Sequence, residues 1–212
     1  MITTILFDMD GVLFDSEPAW LRVHQQLFNK YKMPWNQEDY DENIRGKPVE
    51  DIFEYLVSEY NLDRKIKDKF LKERGALYLK SNPRMFTGVK ETLAQLKKKY
   101  TLGLVTSTDR WIAEPILENN KILKFFEIII TGDEILRGKP DPWPYQHGMS
   151  ILGAFPWETL IVEDSVVGVN SALDSGAVVV AVTNTFPKDM LAEAHFFIGQ
   201  ITDLLGVLEQ IK

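Results

Sequence analysis

Near its start the chain runs Thr4-Ile5-Leu6-Phe7-Asp8-Met9-Asp10-Gly11, a short apolar run that stops on two acids and a glycine. A brief aliphatic and aromatic run with no polar alternation, bounded by turn-forming residues, is the pattern of a strand buried on both faces. Four more runs of this kind occupy residues 102–105, 128–131, 160–162 and 178–182. Between them lie stretches with apolar residues at helical spacing. Val89, Leu93, Leu96 and Tyr100 form one, and Val166, Val169 and Leu173 form another, with Gly176 placed as its stop. Strand and helix alternate, which predicts an α/β fold: a doubly wound, Rossmann-like parallel sheet.

The first strand is out of step with the rest. The next strand does not begin until Leu102, much farther than one crossover requires. The intervening residues read only as helices. Trp20, His24, Leu27, Phe28 and Tyr31 make one stripe, Ile52, Phe53, Leu56, Val57 and Tyr60 a second, and Ile66, Phe70 and Leu77 a third. We therefore expect residues 1–15 and 86–212 to form the α/β core and 16–85 a small inserted helical cap, with both connections as hinges. Arg-Gly-Lys-Pro occurs at Arg45 and again at Arg137, but the flanks do not match and it is no repeat unit.

Composition narrows the chemistry. The 212 residues are 45% apolar and 26% charged, ordinary for a folded chain. A net charge of -7, with bases mixed among acids, argues against a nucleic-acid partner. Cysteine is absent, so disulfides, thiolate metal sites and cysteine nucleophiles are excluded together. No run approaches the roughly 20 apolar residues of a spanning helix, and the first residues lack a signal-peptide pattern. A cytoplasmic protein with no membrane partner, acting as a monomer, is the expectation.

Polar groups follow the strand ends: Asp8 and Asp10 after the first, Thr106 and Ser107 after the second, Lys139 beyond the third, Glu163 and Asp164 after the fourth. In a parallel sheet these ends share one edge, where ligands of open α/β sheets bind. Several carboxylates in one crevice repel one another unless a cation neutralises them. With only oxygen ligands on offer, that cation is Mg²⁺, held by Asp8 and Asp164, with Glu163 coordinating directly or through water. Lys139, Thr106 and Ser107 supply the cation and hydroxyls that bind phosphoryl oxygens. Asp8 is then placed to attack phosphorus, while Asp10 protonates the departing alkoxide and later deprotonates water.

Each signal has an ordinary alternative. Asp-x-Asp-Gly is a common turn, Ser165 caps a helix starting at Val166, Thr106 and Ser107 are helix-cap residues, and Lys139 before Pro140 reads as a loop cation. Only their convergence argues for a phosphate site. His24 lies on an apolar stripe, and His147 and His195 have no acidic companions. Gly132 to Lys139 departs from a phosphate loop in spacing and carries Pro140 where Ser or Thr is required.

Taken together, Asp8-Met9-Asp10-Gly11-Val12, Val105-Thr106-Ser107, Gly138-Lys139-Pro140-Asp141-Pro142 and Val162-Glu163-Asp164-Ser165 with Gly168 resemble, over the whole chain, the haloacid dehalogenase-like hydrolases. The resemblance implies Asp8 as nucleophile, Asp10 as acid and base, Thr106 and Lys139 as phosphate ligands, and Mg²⁺ held by Asp8, the Asp10 carbonyl and Asp164. Asp15-Ser16-Glu17-Pro18 and the Glu163-Asp164 pair resemble the β-phosphoglucomutase-like branch, which holds both phosphatases and mutases. Where the mutase has a cap His and a cap Arg, this chain has Trp20 and Val49. The resemblance thus implies a phosphatase acting on a small phosphomonoester, a sugar or polyol phosphate, with a phosphosugar mutase as the alternative. Trp20 is either a packing residue of the cap or a platform for a sugar face; Asn43 is a candidate to face the site, and Arg45 and Lys47 either face it or are solvated.

Overall fold

A computed structural model describes residues 1–211. The chain divides into two compact units, one of Met1–Glu17 with Arg84–Lys212 and the other of Pro18–Pro83.

The first unit is built on β1 (Thr4–Phe7). A two-residue strand β2 (Phe14–Asp15) follows it and pairs antiparallel with β3 (Arg84–Met85), so the outgoing and returning segments are joined at their roots. The sheet then continues through β4 (Thr101–Val105), β5 (Ile128–Ile130), β6 (Thr159–Glu163), β7 (Val178–Val182) and β8 (Phe196–Ile198). Its six strands are ordered β5-β4-β1-β6-β7-β8 and all neighbours are parallel. β1 lies between β4 and β6: Leu6 is in register with Gly103 on one side and Ile161 on the other. From β1 the chain winds outward through β4 and β5 on one side and then crosses back to β6, β7 and β8 on the other, and a crevice opens at such a switch point beyond the carboxyl ends of the strands.

Ile5, Leu6 and Phe7 are wholly buried, as the unbroken apolar run requires of a strand covered on both faces. On one face Leu6, Val105, Ile130 and Ile161 pack with Tyr145, Met149, Val169 and Ala172 from the helices. Each large aliphatic group buried this way contributes about 1.5–3 kcal/mol.

The second unit contains most of α1 (Glu17–Lys30), with α2 (Gln37–Asn43), α3 (Val49–Tyr60) and α4 (Lys67–Ser81). α2 was not foreseen, because Gln37 to Asn43 has almost no apolar stripe; Asn36 caps it instead by accepting from Glu38 and Asp39 N–H groups. The unit's interior is aromatic, with Phe28 against Trp35 and Tyr60, and Phe53 against Phe70. The Trp20 ring stacks on Tyr78 at 3.8 Å and 7°, and the Arg74 guanidinium carbon lies 3.8 Å from the indole centroid. Trp20 is therefore engaged inside its own unit, as a packing residue is. His24 is buried and accepts from Arg74 Nε at 3.2 Å; burial and then the Arg74 charge hold its pKa well below the usual range. Arg45 pairs with Asp41 at 3.7 Å, and Lys47 is exposed.

The remaining helices flank the sheet: α5 (Val89–Leu96), α6 (Arg110–Asn119), α7 (Trp143–Leu152), α8 (Val166–Asp174) and α9 (Leu204–Gln210). Among the described residues no helix is long and apolar enough to cross a membrane.

Candidate active site

The site is assembled from loops that continue the central strands. Asp8 extends β1 by one residue, its N–H donating to Val162 O at 3.0 Å, so its backbone is fixed to β6. Thr106 extends β4 in the same way by donating to Ile130 O at 3.0 Å. After Asp10 the chain turns sharply at Gly11, with φ +76, and the Gly11 N–H donates to Phe14 O at 2.8 Å. A Cβ at Gly11 would lie 1.8 Å from Asp164 Oδ2, so only glycine meets both the backbone conformation and the close approach of the carboxylate.

Lys139 Nζ is buried and donates to Asp8 Oδ1 and to Glu163 Oε1, each at 2.6 Å, and to Val105 O at 3.2 Å. Three strand ends are thus tied to one ammonium. Glu163 Oε1 also accepts from the Tyr145 hydroxyl at 2.7 Å, while Oε2 accepts from Asp164 N–H at 2.9 Å and from both Ser165 N–H and Ser165 Oγ at 3.2 Å. Ser165 caps α8 by accepting from Gly168 N–H at 3.0 Å. At Gly168 a Cβ would meet the Glu163 carboxyl carbon at 2.0 Å, so α8 begins directly against this carboxylate.

Asp164 is held by the Thr185 hydroxyl, which donates to Oδ2, and the neighbouring Asn184 Nδ2 donates to Gly11 O at 2.9 Å. Asp10 Oδ2 accepts from the Thr108 hydroxyl at 2.8 Å. Thr106 is buried and its Oγ1 accepts from Thr108 N–H at 3.1 Å, whereas Ser107 is exposed.

One ligand oxygen from each of Asp8, Glu163 and Asp164 can be chosen so that all lie within 4.8 Å of one another, and all three residues are buried. Burial raises Asp8 to about 8 despite the nearby Lys139 charge, with Glu163 and Asp10 adding to the rise. Asp164 is pushed well above the carboxylate range by burial, then by Glu163 and Asp8. Burial acts in the same direction on Glu163, but Lys139 outweighs it and keeps this carboxyl below its ordinary value. Lys139 is raised well above its usual range because Asp8 and Glu163 outweigh its burial. One lysine therefore does not neutralise three buried acids. Asp8 and Asp164 remain a donor set suited to a hard divalent cation, whereas Glu163 has five donors on its two oxygens.

The structure thus gathers Asp8, Thr106, Lys139, Glu163 and Asp164 as a buried cluster at the switch point, and brings Asp10 to it through Thr108. Four contributors were missed by sequence reasoning: Thr108, Tyr145, Asn184 and Thr185. Asn184 and Thr185 follow the end of β7, where the same strand-end rule would have found them. Thr108 stands one place beyond Ser107. Tyr145 gave no signal, because a tyrosine on an apolar helical face reads as core.

Four likenesses bear on this arrangement. Residues 5–182 match the family described as haloacid dehalogenase-like hydrolase. A phosphorylated carbohydrates phosphatase of Thermotoga maritima is 31% identical over 81% of each chain, and the pyrophosphatase PpaX of Bacillus mycoides is 28% identical over 100% of this chain and 99% of its own. Among solved structures, a haloacid dehalogenase-like protein from Agrobacterium tumefaciens superposes with a TM-score of 0.81 at 26% identity, covering 100% of this chain and 99% of the other.

Proposed function

The chain belongs to the haloacid dehalogenase-like hydrolases and is a phosphoric monoester hydrolase, and from that premise we propose that it is a Mg²⁺-dependent phosphatase of small sugar or polyol phosphates, working through a phospho-aspartate at Asp8. The observation that carries the reading is the buried Asp8, Lys139 and Asp164 cluster, with Asp10 two residues from Asp8.

In this reading Thr106 and Lys139 bind the phosphoryl oxygens, with Ser107 beside them. An Asp8 oxygen attacks phosphorus in line, the bond from phosphorus to the alkoxide oxygen breaks, and Asp10 gives its proton to that oxygen. Water then attacks the acyl phosphate, Asp10 takes up its proton, and phosphate leaves with Asp8 restored. Mg²⁺, held by the Asp8 and Asp164 carboxylates and the Asp10 carbonyl, supplies positive charge against the transferring group. Glu163 fits a supporting part, fixing Lys139 and the start of α8. The mutase alternative is not favoured, since the two curated relatives described above are named a phosphatase and a pyrophosphatase and Trp20 stacks within the helical unit.

The test is a screen for phosphate release from sugar phosphates, polyol phosphates and pyrophosphate. Steady release from a sugar or polyol monophosphate is expected, without activation by a sugar bisphosphate. Conversion of a sugar 1-phosphate to its 6-phosphate with little phosphate released would overturn the reading. Chelation should remove activity and Mg²⁺ restore it. Ca²⁺ should not sustain comparable turnover, because its larger and looser shell misplaces the Asp8 oxygen.

A second expectation concerns Thr185. A hydroxyl that holds a metal-binding carboxylate in place typically accounts for about 10- to 100-fold in metal affinity. Thr185→Val should therefore weaken Mg²⁺ binding by that factor in titration calorimetry; unchanged affinity would remove Thr185 from this role.

A further inference from the structure

We propose that Thr108 is a positioning residue for the general acid and base, acting through Asp10. The inference rests on the reading of Asp10 given above and goes beyond it by assigning what holds that carboxylate in place.

Thr108 and Asp10 stand 98 residues apart in the chain and meet only because β4 lies beside β1. The Thr108 hydroxyl donates to Asp10 Oδ2 at 2.8 Å. Its backbone is held on both sides, for its N–H donates to Thr106 Oγ1 at 3.1 Å and its carbonyl accepts from Gly132 N–H at 3.0 Å. A β-branched side chain on a fixed backbone has few rotamers to choose from, so its hydroxyl is aimed by the fold rather than by a mobile loop. The same residue thus joins the phosphate-binding hydroxyl of Thr106 to the carboxylate that handles protons.

The consequence follows from what a carboxyl group must do here. An O–H donor on Oδ2 fixes the plane of the carboxyl group, and with it the direction in which a proton is presented to the leaving oxygen. When Asp10 is ionised, after protonating the alkoxide and before taking a proton from water, the same donor stabilises its charge. Removing the hydroxyl should therefore damage proton transfer and leave phosphate binding largely as it was.

The distinguishing measurement is the dependence of kcat/KM on the basicity of the leaving group. The intact protein, Thr108→Val, Thr108→Ser and Asp10→Asn are compared on a series running from p-nitrophenyl phosphate to an alkyl phosphate, with Mg²⁺ present. Thr108→Val should lose about 10- to 100-fold on the alkyl phosphate, the effect of one hydrogen bond to a charged group. On p-nitrophenyl phosphate, whose leaving group needs little protonation, it should lose about threefold or less. Thr108→Ser should recover most of the loss. KM for the two substrates should change less than kcat.

Equal losses on both substrates, no loss on either, or failure of Thr108→Ser to recover would overturn the proposal. A merely structural tie between loops would lower all rates together. Should Thr108→Val fail to fold by thermal unfolding, Thr108→Ala carries the same comparison. If Asp10→Asn itself lost activity equally across the series, the reading of Asp10 would fall and the proposal with it. If Asp10→Asn steepened the dependence and Thr108→Val did not, the proposal alone would fall.

Discussion

Asp8→Asn should lose turnover by roughly 10⁴-fold or more while folding as before, because the group removed is the one we propose forms and breaks the bond to phosphorus. Asp8 is buried and its Oδ1 takes a 2.6 Å hydrogen bond from Lys139. An amide fills the same space and keeps a carbonyl oxygen for Lys139, so packing survives; it has no anionic oxygen to attack phosphorus or to bind a cation. The carboxyl is also raised to about 8 by burial, so neutralising it spares the folded state an expensive charge. Unfolding temperature and phosphate release measured on the same preparation check both halves. Substantial residual turnover in protein free of wild-type contamination would end the nucleophile assignment, and a collapsed fold would show that the charge is structural.

Lys139→Met should be damaging in a different way, lowering both stability and turnover. The lysine is the shared donor between Asp8 and Glu163, and among the described residues no other cation forms an ion pair with either. Removing one member of a buried ion-paired group leaves the rest uncompensated, at about 3–5 kcal/mol. That is a large share of the roughly 5–15 kcal/mol that holds a domain folded. The sign with pH can be worked out. Acids whose folded-state pKa is raised bind protons on folding, so stability falls as pH rises toward that pKa and recovers as pH falls below it. Lys139 is what holds Glu163 below its ordinary value of 4.5 against its burial, so without the lysine this carboxyl is raised and the deficit of the variant should narrow as pH is lowered from 8 toward 4.5. Denaturant unfolding across that range, compared with the intact protein, measures it. A deficit independent of pH would point to lost packing of the lysine stem rather than to unpaired acids. Turnover should fall by about 10²- to 10³-fold, as for loss of one preorganised charge at a reacting centre.

Much of this arrangement was readable from residues 1–212 alone because burial on both faces leaves a coarse mark. Ile5, Leu6 and Phe7 have no polar residue within the run, and neither do residues 160–162 of β6 or the residues of β7. The acids and hydroxyls that follow strand ends were visible for the same reason, since a charge directly after a buried run has nowhere to go except the edge of the sheet. β8 was passed over although it matches β5 in length and burial at the opposite edge of the sheet, its run being Phe196-Phe197-Ile198 in place of three isoleucines. The pairing of β2 with β3 was hidden as well, since two residues carry no periodicity. Tyr145 and Thr108 show the deeper limit. Their parts depend on hydrogen bonds across 18 and 98 residues of chain, which no local pattern records. Glu163 was placed by its position after β6, but only the geometry shows its two oxygens occupied by five donors.

The place of β1 in the sheet bears on how the molecule is made. Its two partners are distant in sequence, Thr4 being in register with Thr101 on one side and Thr159 on the other. During synthesis the strand that bears Asp8 emerges first and has no β6 beside it until most of the chain has left the ribosome. Pairing at such separations is slow, because loop closure must precede any gain from contact, and an unpaired apolar strand is open to association meanwhile. The helical segment 18–83 forms its own compact unit and emerges during that interval. A nascent chain stopped before Glu163 lacks both the central partner of β1 and the acids at its end, so the order of synthesis keeps the buried acidic cluster from existing before the sheet that supports it.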